Sequence, residues 1–179
     1  MNKYGHEFNG KKIIYVTQPK QKGLVHAIEC AKSALKGDDF FLLLGDEVIT
    51  ESRQKQMVQL FQQENVFAVC GVVEQPDREL IKRTYAVITD KEQNVFRLIE
   101  KPRKPLNEYQ GTGHCIFKNQ ILDLIQYTPI HHQRKEKELP DLIQCAIDDG
   151  QKVKIFVIGK EYVNTNTQDD INIAKKMLN

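Results

Sequence analysis

The sequence predicts an α/β layer fold: a mixed, mostly parallel sheet with helices on both faces. Three observations carry that prediction. Short runs rich in β-branched and aromatic residues alternate with segments of helical period. The runs FFLLLGD (40–46) and VFAVCGVV (66–73) are apolar on both alternations, as central strands covered on two faces are. The runs YAVIT (85–89) and VFRLIEKP (95–102) are separated by DKEQN, a hairpin spacing that places an antiparallel pair in the sheet.

Taken in order, the first predicted strand is KIIYVT (12–17), followed by a turn through Gln18, Pro19 and Gly23. A helix comes next, because Leu24, Ala27, Ile28, Ala31, Ala34 and Leu35 recur at steps of three and four and give one apolar stripe. After strand 40–46, residues 52–64 place Met57, Leu60 and Phe61 on one helical face. Strands 66–73, 85–89 and 95–102 lead to TGHCIF (112–117). Residues 138–149 repeat the helical period with Leu142, Ile143, Ala146 and Ile147, and Gly150 supplies the stop. Strand KVKIFVIG (152–159) precedes a last helix opened by NTQDD, where Thr167 caps and Asp170 reaches back to the cap amide. Its stripe is Ile171, Ala174, Met177 and Leu178.

The 179 residues suffice for one domain, 1–179, burying roughly two thirds of its unfolded surface. A net charge of +2, with no long block of like charge, argues against nucleic acid and against a polybasic membrane patch, so the expected partner is a small molecule. The four cysteines, Cys30, Cys70, Cys115 and Cys145, are far apart and read as free, mostly buried thiols of a reducing compartment. No apolar run approaches the roughly 18 residues of a membrane span, and the first twelve residues lack a signal-peptide core. A soluble, cytoplasmic protein is the expectation.

Several polar residues stand where α/β sheets hold ligands. Asp46 ends an apolar strand after Gly45 and suits a cation at the carboxyl edge of the sheet; a plain turn would use the same residue. Asn164, between a strand signal and a helix cap, suits either a second cation ligand or a capping loop. One carboxylate and one amide oxygen would make a sparse Mg²⁺ site. In LIEKPRKP, Glu100 and Lys101 are adjacent, so extended backbone sends them to opposite faces. Each then needs its own partner, the carboxylate a sugar hydroxyl and the ammonium a phosphate, unless the segment is an exposed strand end. Gly111 and Gly113 flank Thr112 and permit close approach by something flat or hydroxylated. Gln18 carries both a donor and an acceptor, as reading a nucleobase edge requires, beside the open backbone of Gly23. The five histidines lack metal-ligand spacing and read as structural or solvated, and HHQRKEKE (131–138) reads as a solvated loop face.

Taken together and in order, Q-x4-GL-x-HA, LGD, a tyrosine-bearing strand, IEKP, TG-x-x-IF and VNTNT-x-D resemble the sugar nucleotidylyltransferases. These are the glucose-1-phosphate thymidylyltransferases, the UTP:glucose-1-phosphate uridylyltransferases and their relatives, with a Rossmann-like nucleotide-diphospho-sugar transferase fold. The resemblance runs from about Tyr4 to the end of the chain. It implies that Gln18 and Gly23 hold the nucleobase, and that Asp46 and Asn164 hold Mg²⁺. Asp46 and Lys101 are the implied catalytic pair, Lys101 on the sugar phosphate. Ala86, Glu100, Thr112 and Gly113 are the implied sugar-binding residues. Asn164 replaces the Asp of many relatives, and Ala86 replaces their Gly, which sets a methyl where the sugar approaches.

Such proteins join a nucleoside triphosphate, here dTTP or UTP, to a sugar 1-phosphate, by family frequency glucose 1-phosphate, and release pyrophosphate. They open with a glycine-rich G-G-x-G-T-R loop that these residues lack, so the resemblance implies an N-terminally truncated form with weak or no turnover of its own. The alternatives are a non-catalytic nucleotide or sugar-phosphate binding module and, less well matched at GDE (45–47), a glycosyltransferase. An absent central strand favours pairing with another chain, as in a homo-oligomer.

Overall fold

The structure is a computed structural model describing residues 5–178, so Tyr4, where the resemblance begins, lies outside it. Strands β1 (Glu7–Phe8) and β2 (Lys11–Lys12) form a small hairpin whose turn is made by Asn9 and Gly10, both at positive φ. The order continues α1 (Leu24–Leu35), β3 (Phe40–Leu42), β4 (Glu47–Ile49), α2 (Gln54–Gln63), β5 (Ala68–Glu74), α3 (Arg78–Ile81), β6 (Tyr85–Thr89) and β7 (Val95–Glu100). It closes with β8 (Tyr109–Phe117), the 3₁₀ helix η1 (Asn119–Leu124), α4 (Leu139–Asp148), β9 (Val153–Val157), β10 (Tyr162–Asn164) and α5 (Gln168–Met177).

The main sheet runs β7-β6-β8-β5-β9, with β3 also on β8. Because β5 occupies one side of β8 along most of its length, β3 and β6 share the other side at opposite ends. The sheet is mixed, as expected, and the predicted β6–β7 hairpin is antiparallel. Its parallel share is smaller than expected: β5–β9 is the parallel pairing, while β8 runs against β3, β5 and β6. One long antiparallel strand that collects three neighbours inverts the balance that βαβ reasoning supplies.

Helices cover both faces. Val25 and Ile28 of α1 and Leu142 and Ile143 of α4 pack with Phe117, Cys70 and Ile155 on one side. Met57 and Phe61 of α2 pack with Val69, Val73 and Ile116 on the other. The helix at the C-terminal end has the predicted reciprocal cap between Thr167 and Asp170, and all four cysteines are free, Cys70 and Cys115 fully buried. Among the described residues no helix is long and apolar enough to cross a membrane.

Two predicted strands differ. In KIIYVT the strand stops at Lys12, and Ile14, Tyr15 and Val16 are 50%, 49% and 44% exposed. A β-branched run holds no strand without a neighbour to bond, and among the described residues this one offers only the Ile13 amide to the His6 carbonyl. FFLLLGD is not central: β3 ends at Leu42, is half-buried along its length, and among the described residues pairs with β8 alone. The chain then turns at Gly45 and Asp46 and starts β4, whose partner is β10.

Candidate active site

The ends of β7 and β10, the middle of β8 and the first turns of α4 and α5 enclose one cleft with two adjoining lobes of about 290 and 460 Å³. Arg83, Thr84, Lys101, Tyr162, Asn164 and Asn166 line both. Glu47, Tyr85, Glu100, Gly113 and Glu138 belong to the smaller lobe; Gln110, Thr167, Asp170 and Ile173 belong to the larger.

Lys101 does not continue the extended backbone of β7. Its φ is +45°, a left-handed conformation that a non-glycine residue adopts only where its surroundings enforce it, and its amide donates to the Thr84 carbonyl at 2.7 Å. The turn brings its ammonium round toward Glu100, 4.0 Å from Oε1, so the two side chains expected on opposite faces share the cleft.

Glu100 is fixed from elsewhere. Arg134 donates through Nη2 to Glu100 Oε1 at 2.9 Å and through Nη1 to Glu138 Oε1 at 2.8 Å, tying the end of β7 to the start of α4. The run read as a solvated face thus supplies a half-buried clamp. Only the spacing of Arg134 four residues before Glu138 hinted at it. Burial pushes the Glu100 carboxyl above its ordinary value, and Arg134 opposes part of that rise.

A second carboxylate, Glu47, lies deeper, its side chain 3% exposed. Both its oxygens accept the Gly113 amide at 2.9 Å, and Oε1 also accepts the Tyr162 hydroxyl at 2.8 Å. Burial raises Glu47 and raises Tyr162 strongly. His114, 3.6 Å away, is pushed down by its own burial, so this neighbour acts as a neutral imidazole rather than a cation. Glu47 therefore joins the middle of β8 to β10, a link that residue spacing alone does not show.

The glycines flanking Thr112 make room for the protein's own side chains. A Cβ on Gly111 would stand 2.2 Å from the Tyr85 ring, and one on Gly113 2.3 Å from Leu44. Thr112 lines the smaller lobe, but its polar groups are used internally: the hydroxyl donates to the Gly71 carbonyl at 2.9 Å and the carbonyl accepts the Tyr85 hydroxyl at 2.9 Å. Ala86 is 3% exposed, paired with Ile99 and Gln110 within the sheet; Thr84 and Tyr85 form the cleft wall there instead.

Asp46 and Asn164 are brought together by the β4–β10 pairing. Asn164 pairs with Glu47, and Thr165 donates to the Asp46 carbonyl from its amide at 2.7 Å and its hydroxyl at 3.0 Å. The Asp46 side chain is exposed, whereas Asn164 Oδ1 is buried and has no hydrogen-bond partner among the described residues. Asn164 lines both lobes, whereas Asp46 is not among the residues lining either; carboxylate and amide oxygens are the hard donors that a Mg²⁺-type ion takes. Among the described residues no cluster of three or more His, Cys, Asp or Glu side chains could hold a metal.

Gln18 and Gly23 stand apart, at the start of α1. The Gln18 amide nitrogen donates to the Gly23 carbonyl at 3.0 Å and lies 2.9 Å from His26 Nδ1, leaving Oε1 as its free group among the described residues. Gly23, with φ +84°, is the residue before α1, and a Cβ there would meet the Glu136 carboxylate at 2.6 Å. Leu24, next in the chain, lines the smaller lobe.

Comparison with known proteins identifies the family. The nucleotidyl transferase family profile matches residues 2–166. The low-salt glycan biosynthesis nucleotidyltransferase Agl11 of Haloferax volcanii is 31% identical over 172 residues, covering 94% of this chain and 46% of the relative. The UTP–glucose-1-phosphate uridylyltransferase AglF of the same organism is 25% identical, with 98% and 70% covered. Among solved structures, a UDP-glucose pyrophosphorylase from Acinetobacter baumannii superposes with a TM-score of 0.79 at 22% identity, over 94% of this chain and 60% of that one. The chain thus spans about half the length of the first of these relatives.

Proposed function

Because the chain belongs to the nucleotidyl transferase family, we propose that it serves nucleotidyl transfer from dTTP or UTP to a sugar 1-phosphate, glucose 1-phosphate before others. The observation that supports this most is the meeting of Glu100, Lys101, Gly113 and Asn164, remote in sequence, on one cleft. The name of AglF supports the substrate class.

In the proposed reaction a phosphate oxygen of the sugar 1-phosphate attacks the α-phosphorus of the triphosphate in line. The new P–O bond forms as the bond to the β-phosphate oxygen breaks, and pyrophosphate leaves with that electron pair. Positioning and cations on the phosphate oxygens do most of the work in such a step. Lys101, with only a 4.0 Å contact to Glu100, has charge to spare for the sugar phosphate. Glu100 Oε2 accepts a sugar hydroxyl while Arg134 holds the other oxygen in place. The Gln18 carbonyl oxygen, left free by its internal bonds, accepts from a base edge beside Gly23. Asp46 and Asn164 would hold Mg²⁺, which when bound neutralises phosphate charge.

The 179 residues include no glycine-rich loop to cradle a triphosphate, and each absent donor costs on the order of 3 kcal/mol of transition-state stabilisation. The chain by itself is therefore expected to bind sugar phosphate and nucleotide but to turn them over near background. Calorimetry with glucose 1-phosphate and UTP, with and without Mg²⁺, tests the reading alongside a pyrophosphate-release assay. Metal-dependent nucleotide binding with little release is the expected result. Metal-blind nucleotide binding selects the second reading, a non-catalytic binding module.

A further inference from the structure

Most charges around the cleft are already matched. Arg134 is spent on Glu100 and Glu138, and Glu47 on the Gly113 amide and Tyr162 hydroxyl. Asp170 accepts the Thr167 amide and hydroxyl at 2.8 Å each as part of the helix cap. Two cations are left over. One is Lys101, with its 4.0 Å contact; the other is Arg83, whose guanidinium makes none of the ion pairs formed among the described residues. Both line both lobes. Between them in the backbone stands Thr84, whose carbonyl holds the Lys101 amide and whose hydroxyl is buried with no hydrogen-bond partner among the described residues.

A surplus of two cations lining the same lobes as an unsatisfied hydroxyl is the complement of a phosphate monoester. A guanidinium meets two phosphate oxygens in its plane, an ammonium meets a third as a point charge, and a hydroxyl donates to any of them. We propose that Arg83 and Thr84 are phosphate-binding residues, closing with Lys101 a three-sided seat for the phosphate of a sugar 1-phosphate at the junction of the two lobes. The seat deepens the reading above, since it assumes that Lys101 takes the sugar phosphate, and it adds two residues that motif spacing does not mark. Its position also assigns directions: the sugar lies in the smaller lobe toward Glu100 and Gly113, and the larger lobe lies on the far side of the phosphate. The attraction of Arg83 for Asp170 is the competing use of this side chain; it involves a carboxylate already saturated by its cap and open to solvent.

The test is calorimetry of the full chain at low salt with glucose 1-phosphate, inorganic phosphate and glucose as probes, on wild type, Arg83→Gln, Arg83→Lys, Thr84→Val and Lys101→Gln. Arg83 is exposed, so its variants are expected to melt with the wild type. Arg83→Gln is expected to weaken both phosphate probes by roughly tenfold or more and leave the glucose signal unchanged. Arg83→Lys should recover part of the loss, and Thr84→Val should cost a few-fold. Full phosphate affinity in Arg83→Gln, with loss in Lys101→Gln, overturns the seat and leaves the function standing. If wild type binds neither phosphate probe, or Lys101→Gln binds as wild type, the function reading falls and the seat with it.

Discussion

The two flanks of the main sheet are built from similar residues and end up in different conditions. On one, β9 is almost wholly covered: Val153 is 1% and Ile155 0% exposed, and the chain before β7 folds over its outer side, bridging Asn94 to Lys154 and giving the Ile155 amide the Gln93 carbonyl. On the other, β3 has β8 on one side and no strand on its outer side among the described residues, its three residues are half-buried, and Leu43 beyond it is 52% exposed. Both runs are apolar. The difference teaches that hydrophobicity earmarks a strand for burial, while a neighbour with free backbone groups decides whether the burial happens.

Substitution along each flank sharpens that contrast, and the largest effect is expected where cover is complete. Ile155→Ala should cost about 2–5 kcal/mol of unfolding free energy, and Leu43→Ala should stay within about 0.5 kcal/mol; urea titrations compare them directly. Equal costs would mean that the β3 flank is packed in solution. Next comes β8, the strand between the two flanks. Gly111→Ala drives a methyl into the Tyr85 ring and should cost about 1–3 kcal/mol, whereas Gly45→Ala, with nothing within 4 Å of the new Cβ, should be near neutral. Smaller again is Tyr85→Phe, which removes one buried hydroxyl bond to the Thr112 carbonyl and should cost about 1 kcal/mol, read from the same titrations.

The same distinction governs what could be read in advance. Periodicity located α1, α2, α4 and α5, the β6–β7 hairpin and the reciprocal cap at Thr167, because those depend on local spacing. It misjudged residues 12–17 and 40–46, whose fate rests on a neighbouring strand that no local pattern reports. Short β4 and β10, which set Asp46 beside Asn164, carry too few residues for an alternation to register. At the cleft, residue type and position pointed to Glu100, Lys101 and Asn164, and to Asp46 in the turn before β4. The left-handed turn at Lys101 is held from Thr84, the Arg134 clamp reaches Glu100 across 34 positions and the buried Glu47 reaches Tyr162 across 115, beyond any motif's reach. Ala86 and the Thr112 hydroxyl show the converse: a strand residue named for its place in a motif can face into the sheet.

The smallest expected effect returns to the covered flank and concerns charge. Lys154 in β9 is only 9% exposed, and its ammonium donates to Glu64 at the end of α2 at 2.7 Å, with Lys152 at 3.7 Å from the same oxygen. The bond from Lys154, ahead of the weaker attractions, holds the Glu64 carboxyl below its ordinary value of 4.5. The folded protein therefore keeps Glu64 ionised at pH values where the unfolded chain has begun to protonate it. The stabilisation is complete above that ordinary value and is lost as the pH falls through the folded-state value below it. Because the Glu64 side chain is 37% exposed, solvent and salt screen much of the gain. Glu64→Gln keeps an acceptor for Lys154 and removes the titration. Its urea midpoint at neutral pH should fall little, and the part of the acid slope below the ordinary carboxylate value should flatten. Added salt should bring wild type toward the variant. An unchanged acid slope in Glu64→Gln would mean that the cover over β9 is held by its apolar contacts and backbone bonds alone, with the buried lysine indifferent to its partner.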